Sequence, residues 1–396
     1  MTYNLLAKSL AQSNSYLYTY CGEHVMQWKN RSRVLLAELE SHLLDVYCLQ
    51  ELDSDDYHDL FQPTFLKWGY TGFFKKRNGE KMDGCAMFYR NKSVKAVSIH
   101  GVDYNLNHFM NRDNVGIVAI LDIKQGNETK RVCVATTHIL FNPKRGMIKI
   151  AQLCILLQEA KNLIEREECE VPIVLCGDLN SLPHSTIIQY LLSDHVNVSL
   201  MPDAYLSGQT PGIPRSGTYK NTIAEFHNTF LGRSSNSSIV SSTATTESSV
   251  ALIDIAGSNT VIHDNQSLEI KTLTRRFKNA KFGPLNEDPI LSQPFLLKSA
   301  YDIDTVPNKT GGTWARSGQS WTTHHGHCKQ TCDYIFYGYL RSLMPSSSSI
   351  SQSPQPMLHV ASCLELPCGL IQDQKGLPTA DFGSDHLSLV TKFRFE

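Results

Sequence analysis

The segment that most constrains the fold is a buried strand ending in polar residues, Val171–Ser181. Its apolar residues 173–176 run without a break, as in a strand buried on both faces. Asp178 and Asn180 follow, and an acid and an amide there are costly unless they bind something. Because side chains alternate along a strand, we expect both to point the same way and Leu179 to face the core. Taken alone, the Gly-Asp-Leu-Asn sequence fits equally well a turn that closes a strand.

Polar residues also end several other predicted strands. A strand end is a rigid platform, and catalytic groups are commonly mounted there or on the loop that follows. A carboxylate and an amide on one face suit a phosphate, a hydrolytic water and a divalent metal. The further polar strand-end residues are Asn4, Glu51, His138, Asp333, Asp385 and His386.

These residue types form a consistent chemistry. Glu51 and Asp385 offer hard oxygens suited to Mg²⁺ or Mn²⁺. His386 can act as a base or stabilise negative charge, and Asp333 can orient its imidazole. No serine or cysteine stands with a base in a nucleophilic arrangement, so metal-assisted attack of water on phosphorus is favoured over a covalent intermediate. The neutral donors or acceptors for phosphate oxygens are Asn4, Asn180 and His138.

Composition and length are those of a globular protein with a large core. The chain has 396 residues, of which 41% are hydrophobic and 19% charged, enough for one large domain or two small ones. The formal net charge of -1 gives no overall field for a polyanionic partner. A nucleic-acid site would therefore be a local patch.

The cysteines favour an intracellular compartment. Several of the 11 cysteines lie inside apolar runs, which is typical of reduced core cysteines. We find no signal peptide and no apolar run long enough to cross a bilayer. We expect a cytoplasmic protein, with the nucleus as a second compartment. Met1–Leu6 has the pattern of the middle of a strand, which predicts that residues of the natural chain precede Met1.

Strands and helices alternate in the first half of the chain, whereas the second half is rich in strands and long loops. This order predicts a mixed α/β domain of class α+β over 1–396, with two sheets and helices outside. A Ser/Thr-rich segment near 234–250 predicts a flexible insertion, and 345–356 a Ser/Pro-rich linker loop. Helices are predicted at 28–44, 55–66, 146–164 and 186–192. Strands are predicted at 1–7, 46–51, 84–89, 94–99, 115–123, 131–138, 171–177, 332–337, 357–364 and 387–395.

Six short motifs resemble, in order, those of the endonuclease/exonuclease/phosphatase superfamily. Each motif is weak alone, but six in the expected order over nearly the whole chain are a strong signal. They are Tyr3–Ala7, Leu49–Leu52, Thr136–His138, Gly177–Ser181, Cys332–Phe336 and Ser384–Leu387. Three further segments resemble the angel proteins, relatives of the carbon catabolite repressor deadenylases and nocturnin: Asn111–Gly116, Phe141–Gln152 and Ser384–Phe395.

The resemblance implies a four-layer αββα sandwich with two mostly antiparallel sheets. It also implies Mg²⁺-dependent cleavage of phosphate esters, with Mn²⁺ able to substitute. By the family pattern, Glu51 holds the metal and Asp385 lies at the metal end. Asp333 orients His386. The pattern further implies that Asp178 and Asn180 position water and phosphate, and that Asn4 and His138 contact phosphate.

The substrate implied by the resemblance is an RNA 3′ end. Some relatives are poly(A) exonucleases, and the angel branch is associated with removal of a 2′,3′-cyclic phosphate. Lys144 and Arg145 lie where deadenylases contact terminal bases, and a guanidinium can grip a terminal phosphate with two hydrogen bonds. The alternative is that both cations cap their loop and face solvent. The expected substrate-binding residues are Asn114, Asn142, Pro143 and Arg145.

Four alternatives remain open at this point. Within the enzyme class, the chain could be a 3′–5′ exoribonuclease that shortens poly(A). A sugar-lipid phosphatase or a DNA-repair nuclease is disfavoured by the angel-like segments, so no DNA substrate is expected. In a different class, the chain could be a non-catalytic RNA-binding or scaffold protein that has kept the fold. Against this, every residue type needed for the chemistry is present.

Two further patterns are weaker. His324–Cys332 has zinc-ligand residue types, but no second pair at zinc-module spacing follows, so a loop before the Asp333 strand is favoured. Tyr47 with Leu52 approaches the motif that binds cap-binding translation factors, but Asp53 follows and the segment is a buried strand. We therefore predict no cap-binding partner. We also expect no membrane association and a monomer.

Overall fold

Two mixed sheets form the centre of the molecule. In the computed structural model, the first sheet has the order β1-β2-β4-β3, with β1 parallel to β2 and the other neighbours antiparallel. Its strands are β1 (Thr2–Asn4), β2 (Val46–Asp53), β3 (Tyr70–Lys76) and β4 (Asp83–Arg90). The description covers residues 1–212, 290–301, 321–326, 328–341, 358–369, 371 and 374–395.

The second sheet is larger and has the order β11-β14-β8-β7-β6-β5. Only β7 and β8 run parallel in it, so the described part of each sheet has one parallel pair and is otherwise antiparallel. Its strands are β5 (Val94–Asp103), β6 (Val115–Gln125), β7 (Glu128–His138), β8 (Ile173–Asp178), β11 (Phe295–Ser299) and β14 (Asp333–Leu340).

Three short antiparallel pairs and a set of helices complete the described structure. The pairs are β9 (His195–Asn197) with β10 (Ile290–Ser292), β12 (Thr323–His325) with β13 (Cys328–Gln330), and β15 (His359–Cys363) with β16 (Thr391–Arg394). The α-helices are α1 (Lys8–Ser13), α2 (Glu23–Met26), α3 (Trp28–His42), α4 (Ser54–Asp56), α5 (Gln62–Lys67), α6 (Gly146–Ile164) and α7 (Thr186–Leu192). A π-helical turn covers Tyr57–Phe61, and 3₁₀ turns cover Ser15–Tyr18, Val198–Leu200, Asp203–Tyr205 and Pro367–Gly369.

The alternation of side chains along each strand gives both sheets two buried faces. In β2, Tyr47 and Leu49 pack outward against Leu35 and Leu39 of α3. Cys48 points the other way, into an apolar cluster that includes residues of the second sheet. On the far side, α6 contacts β5, β6 and β7, and it also contacts α7. These layers are the helix, sheet, sheet, helix order expected for an αββα sandwich, which confirms the predicted fold class.

The predicted single domain over 1–396 stays a prediction. The chain divides into a compact unit of Met1–Lys220 with Pro289–Glu396 and a second unit, Asn221–Asp288, which lies outside the described residues. The segments 234–250 and 345–356 also lie outside them, so their assignments stay predictions. No helix in the described part of the chain is long and apolar enough to span a membrane.

Several predicted elements differ in extent from the observed ones, most clearly the last strand and the helix predicted at 55–66. The last strand covers only Thr391–Arg394, because the chain changes partners near Val390: Leu389 pairs with Thr2 at the edge of β1, whereas 391–394 pair with β15. The helix predicted at 55–66 is divided into α4, the π turn and α5. Pro63, near the start of α5, lacks the N–H needed to continue the hydrogen bonds.

The outer helix layer makes a testable contribution to stability. Leu39 is 0% exposed between α3 and the first sheet, whereas Leu66 on α5 is 65% exposed. Leu39→Ala should lower the free energy of unfolding by about 2–5 kcal/mol, because it leaves a cavity. The matched change Leu66→Ala should alter it by less than about 0.5 kcal/mol. Urea denaturation measures both; an equal loss in the two variants would contradict this packing.

Candidate active site

A row of three paired residues crosses β7, β8 and β14 at one end of these strands. His138 at the end of β7 pairs with Asp178 at the end of β8, and Asp178 pairs with Asp333, the first residue of β14. The end of two parallel strands therefore meets the start of an antiparallel one. This register brings an imidazole and two carboxylates, predicted as separate strand-end groups, to one edge.

Glu51 reaches the same edge from the first sheet through a bulge. The register of β2 against β4 shifts between Gln50 and Leu52, and Glu51 has φ 52°. A β-bulge bends the strand and re-aims a side chain, and a left-handed conformation is unusual for glutamate. The strand predicted to end at Glu51 thus continues to Asp53. It is the bulge, not the strand end, that turns this carboxylate into the site.

Asn180 is held by a tight left-handed turn after β8. Its φ is 41°, and its backbone N–H donates to Asp178 Oδ1 at 2.8 Å. Its side-chain amide donates to His138 Nε2 at 3.0 Å and to the carbonyl of Ile139 at 3.2 Å. Leu179 is 1% exposed, as predicted. Asp178 and Asn180 do face the same site, but strand alternation alone does not explain this, because the strand ends at Asp178.

Asn4 joins the two sheets at the opening of the site between Glu51, Asp178 and His386, which we call the mouth. Its Nδ2 donates to Glu51 Oε1 at 3.0 Å and to Asp178 Oδ2 at 3.1 Å. The other oxygen of Glu51 accepts the N–H of Ala7 at 3.3 Å. Because one amide nitrogen bridges both carboxylates, two acids from different sheets are held close together.

His386 faces Asp178 from the opposite side. Its Nδ1 donates to Asp333 Oδ2 at 2.8 Å, and its Nε2 lies 4.0 Å from both Asp178 Oδ2 and Asp385 Oδ1. Asp385 Oδ2 accepts the hydroxyl of Tyr18 at 2.8 Å. The predicted pairing of Asp333 with His386 is therefore present, and Nε2 is the imidazole atom directed at the acidic mouth.

Burial and crowding shift the proton affinities of these groups in different directions. Burial, together with Asp385, raises the pKa of Glu51 to about 8. Burial, together with Asp333, raises the pKa of Asp178 to about 6, and burial lowers that of His138 to about 3. Burial alone would lower the pKa of His386, but the surrounding carboxylates, Asp333 above all, raise it well above its usual value. At neutral pH, His138 is therefore neutral and His386 is protonated.

Several buried atoms at this edge have no hydrogen-bond partner among the described residues: His138 Nδ1, Asp333 Oδ1 and Asp385 Oδ1. Because the amide of Asn180 donates to Nε2 of His138, Nδ1 carries the proton of the neutral ring. It is a buried donor 3.9 Å from Glu51 Oε1. Buried polar groups without partners are rare and indicate a ligand or ion.

The donor atoms fit a divalent cation. One ligand atom each from Glu51, His138 and Asp178 lies within 4.8 Å of the others, and a second group joins Asp178, Cys332, Asp333 and His386. Carboxylate oxygens are the ligands that Mg²⁺ and Mn²⁺ prefer. Crowded acids with raised pKa values are also stabilised by a nearby positive charge. Asp385, a predicted metal ligand, belongs to neither group, so its role at the metal stays a prediction.

The four predicted substrate-binding residues lie in two different places. Asn142, Pro143 and Arg145 belong to the loop between His138 and α6, where Asn142 is exposed and the other two are half-buried. Asn114 is 2% exposed beneath His138. Its amide donates to the carbonyl of His138 at 3.1 Å and accepts from Gln152 at 3.4 Å. Asn114 therefore supports the backbone of His138, and its role in substrate binding stays a prediction.

Two supporting residues were not predicted. Arg31 is 1% exposed, and its guanidinium donates to the carbonyls of Leu5, Leu6 and Gly383, which ties the Asn4 turn to the Asp385 loop. Its spacing with Leu35 on the buried face of α3 was a usable signal, since a cation on an apolar stripe needs partners. Tyr18 lies in a short 3₁₀ turn with no periodic pattern, so its role had no comparable signal in the sequence.

The weak zinc pattern at 324–332 forms a small hairpin. His324 and His325 lie on β12, and Cys328 begins β13. His324 packs edge-on against Trp321, and His325 lies beside Tyr18. Among the described residues, which exclude His327, no group of three zinc-type ligands forms within this segment, and Cys332 alone joins the group of Asp178, Asp333 and His386.

The comparisons with known proteins decide the family. The family model described as Endonuclease/Exonuclease/phosphatase family matches residues 1–386. The chain belongs to this family. It is an angel-like member: it is 32% identical over 400 residues to protein angel homolog 2 of Danio rerio, a match that covers 100% of this chain and 63% of that protein. The chain thus spans less than two thirds of that relative's length.

Solved structures agree with this assignment. The crystal structure of ANGEL2, described as a 2′,3′-cyclic phosphatase in complex with adenosine-2′,3′-vanadate, superposes with a TM-score of 0.73 at 27% identity. The match covers 100% of this chain and 94% of that one. The human nocturnin catalytic domain shares the fold, with a TM-score of 0.53 at 20% identity over 99% of this chain and 92% of that one.

The raised pKa of Glu51 predicts a pH-dependent stability in this family member. In the metal-free folded chain, Glu51 keeps its proton up to about pH 8, whereas unfolding restores a pKa of 4.5. The stability that this proton contributes is complete below pH 4.5 and is lost as the pH rises through 8. Glu51→Gln carries no such proton, so its stability relative to the wild type should increase from pH 5 to pH 8. Urea unfolding in chelator measures this difference; a pH-independent difference would refute the assigned environment.

Proposed function

We propose that this chain is a Mg²⁺-dependent phosphoesterase that removes the 2′,3′-cyclic phosphate from RNA 3′ ends. One observation carries the proposal: Asn4 holds the carboxylates of Glu51 and Asp178 together, with His386 Nε2 4.0 Å from Asp178. This gives a mouth that combines negative, neutral and cationic groups. The likeness to a 2′,3′-cyclic phosphatase crystallised with adenosine-2′,3′-vanadate supports the same substrate class.

The acid and base roles follow from the opposite environments of two groups. The pKa of Asp178, raised by burial and Asp333 to about 6, still leaves it ionised at neutral pH and able to accept a proton from water. Asp333 and Asp385 keep His386 protonated against the effect of burial, so it can donate a proton to the leaving ribose oxygen. Paired titratable groups whose pKa values are pushed apart are typical of acid–base catalysis.

The proposed reaction has two hydrolytic steps, and in each one O–P bond forms and one breaks. Water, oriented by Asp178 and Asn180, attacks phosphorus and gives its proton to Asp178. The bond from phosphorus to one ribose oxygen breaks, and that oxygen takes a proton from His386, which leaves an open phosphomonoester. After Asp178 loses its proton to solvent and His386 regains one, a second water attacks in the same way, the remaining ribose O–P bond breaks, and inorganic phosphate and two ribose hydroxyls result. His138 Nδ1 is assigned to a phosphoryl oxygen. Asn4, which was predicted to contact phosphate as well, uses both hydrogens of its amide on Glu51 and Asp178.

Glu51 and Asp178 are the residues assigned to a cation, because their oxygens are the hard ligands of the Glu51, His138 and Asp178 group. Mg²⁺ is proposed, with Mn²⁺ able to substitute. When bound, the ion supplies positive charge beside the phosphoryl oxygens. The carboxylates of Glu51 and Asp178, held by Asn4, need that charge because they are buried close together.

RNA contact is assigned to the loop that leaves His138. Asn142, Pro143 and Arg145 lie on it, and Phe141 beside them is 61% exposed. Arg145 would grip the terminal phosphate with two parallel hydrogen bonds. A monomer working in the cytoplasm, with the nucleus as a second compartment, is the proposed setting.

The proposal predicts a preference among RNA end types. The full chain with Mg²⁺ should remove the 2′,3′-cyclic phosphate from a short oligonucleotide and should leave a 3′-hydroxyl poly(A) oligonucleotide at full length. Both are followed by denaturing gel electrophoresis, with a chelator as the metal-free reaction. Shortening of poly(A) without opening of the cyclic phosphate would identify an exoribonuclease instead.

A matched variant assigns the activity to this site. Asp178→Asn keeps the shape but removes the proton acceptor, so kcat should fall by at least about 100-fold, the usual effect of losing general base catalysis. The exposed Asp381 offers the control Asp381→Asn, which should leave kcat unchanged. If Asp178→Asn were as active as the wild type, a different site or a contaminating enzyme would be responsible. If neither the wild type nor either variant turned over the substrate, a non-catalytic RNA-binding role would be favoured.

A further inference from the structure

A buried lysine lies directly behind the mouth of the site. Lys149, in the first turns of α6, is 0% exposed. Its ammonium donates to the backbone carbonyl of Asn180 at 2.5 Å and to Oε1 of Gln209 at 3.0 Å. An ammonium without solvent is costly to bury, and burial lowers the pKa of Lys149 to about 7. The two hydrogen bonds of the ammonium must therefore offset the cost of its burial.

The first of these bonds acts on a strained residue. Asn180 has φ 41°, a left-handed conformation that asparagine tolerates better than most residues but that still needs support. In this conformation its N–H reaches Asp178 and its amide reaches His138. Rotation of the Asn180 peptide would break the bond to Lys149 and move the amide away from His138.

The same face of α6 also holds the neighbouring loop. Gln152 lies three residues after Lys149, on the same side of the helix. Its Oε1 accepts the N–H of Leu140 at 2.8 Å, and its amide donates to Asn114 beneath His138. Lys149 and Gln152 therefore connect one rigid helix to the two loops that follow β8 and β7. Each of these polar side chains is fully buried.

We propose that Lys149 is a positioning residue that fixes the backbone of Asn180 and thereby holds its amide on His138, the residue assigned to the phosphoryl oxygens. Lys149 itself touches neither substrate nor metal. The proposal rests on the proposed function for the identity of the substrate. It does not depend on it for the geometry, because any phosphate bound at His138 needs the same support.

Kinetics of three full-length variants test the role. Lys149→Met keeps the length of the side chain but removes the charge and the donors, and it should lower kcat on the cyclic-phosphate oligonucleotide by about 10- to 100-fold, the usual effect of losing a residue that orients a site. Lys149→Arg restores the charge and donors and should recover part of kcat. Lys161→Met is the control, since Lys161 lies on the same helix but is 32% exposed and pairs with Glu165. It should keep the wild-type kcat.

A double-mutant cycle separates positioning from general destabilisation. Asn180→Gly removes both the amide and the need for a left-handed side-chain residue. If Lys149 acts through Asn180, adding Lys149→Met to Asn180→Gly should lower kcat by less than about 3-fold further, because interacting residues are not additive. A full 10- to 100-fold additional loss would overturn the proposal, and so would a wild-type kcat in Lys149→Met alone.

Binding of inorganic phosphate gives a readout that does not need turnover. With Mg²⁺ present, calorimetry should show about 10-fold weaker phosphate binding for Lys149→Met than for the wild type and Lys161→Met. Equal affinities would overturn the positioning role. If the wild type opens no cyclic phosphate but Lys149→Met still loses phosphate affinity, the proposed function fails and the role of Lys149 stands.

Discussion

The sharing of one amide nitrogen by two carboxylates is the interaction on which the site depends. Asn4 Nδ2 contacts Glu51 of the first sheet and Asp178 of the second at 3.0 and 3.1 Å. The two acids would otherwise repel each other in a buried setting. Asn4 itself is fixed by Leu6, whose N–H donates to its Oδ1, and by Ser384, whose hydroxyl donates to its carbonyl. Hydrogen bonds of Asn4 therefore hold the two sheets together at the mouth.

This closure is reached through local strain. Among the described residues, the non-glycine residues with positive φ are Leu6, Leu43, Glu51 and Asn180, and three of these lie at the mouth. Such conformations cost about 1–3 kcal/mol each and persist only where the surroundings fix them. Here the surroundings are specific: a bulge in β2 for Glu51, the Arg31 guanidinium on the Leu6 carbonyl, and the Lys149 ammonium on the Asn180 carbonyl. The contacts that stabilise these backbone conformations therefore also hold the site residues in place.

Much of the fold was predictable because hydrophobic periodicity is strong in this chain. The bounds of α6 and α7 were predicted as observed, since each apolar helix face is continuous. Glu51, Asp178, Asp333 and His386 were recognised as one chemical set from their residue types at strand ends. Their mutual distances were not readable, because a bulge at Glu51 and a left-handed turn at Asn180 decide them. The position of Asn114 was not readable either: its motif indicated proximity to the site, not that it lies buried against the backbone of His138.

One cation placed between the two sheets is central to the proposed chemistry, and diffraction can locate that ion directly. A crystal soaked in Mn²⁺ and measured at a wavelength where manganese scatters anomalously would show its position without assumptions about activity. We predict a peak about 2.0–2.3 Å from carboxylate oxygens of Glu51 and Asp178, within the range for hard divalent ions. A well-occupied peak elsewhere, with those carboxylates uncoordinated, would contradict the assignment of this mouth as a metal-assisted phosphoesterase site.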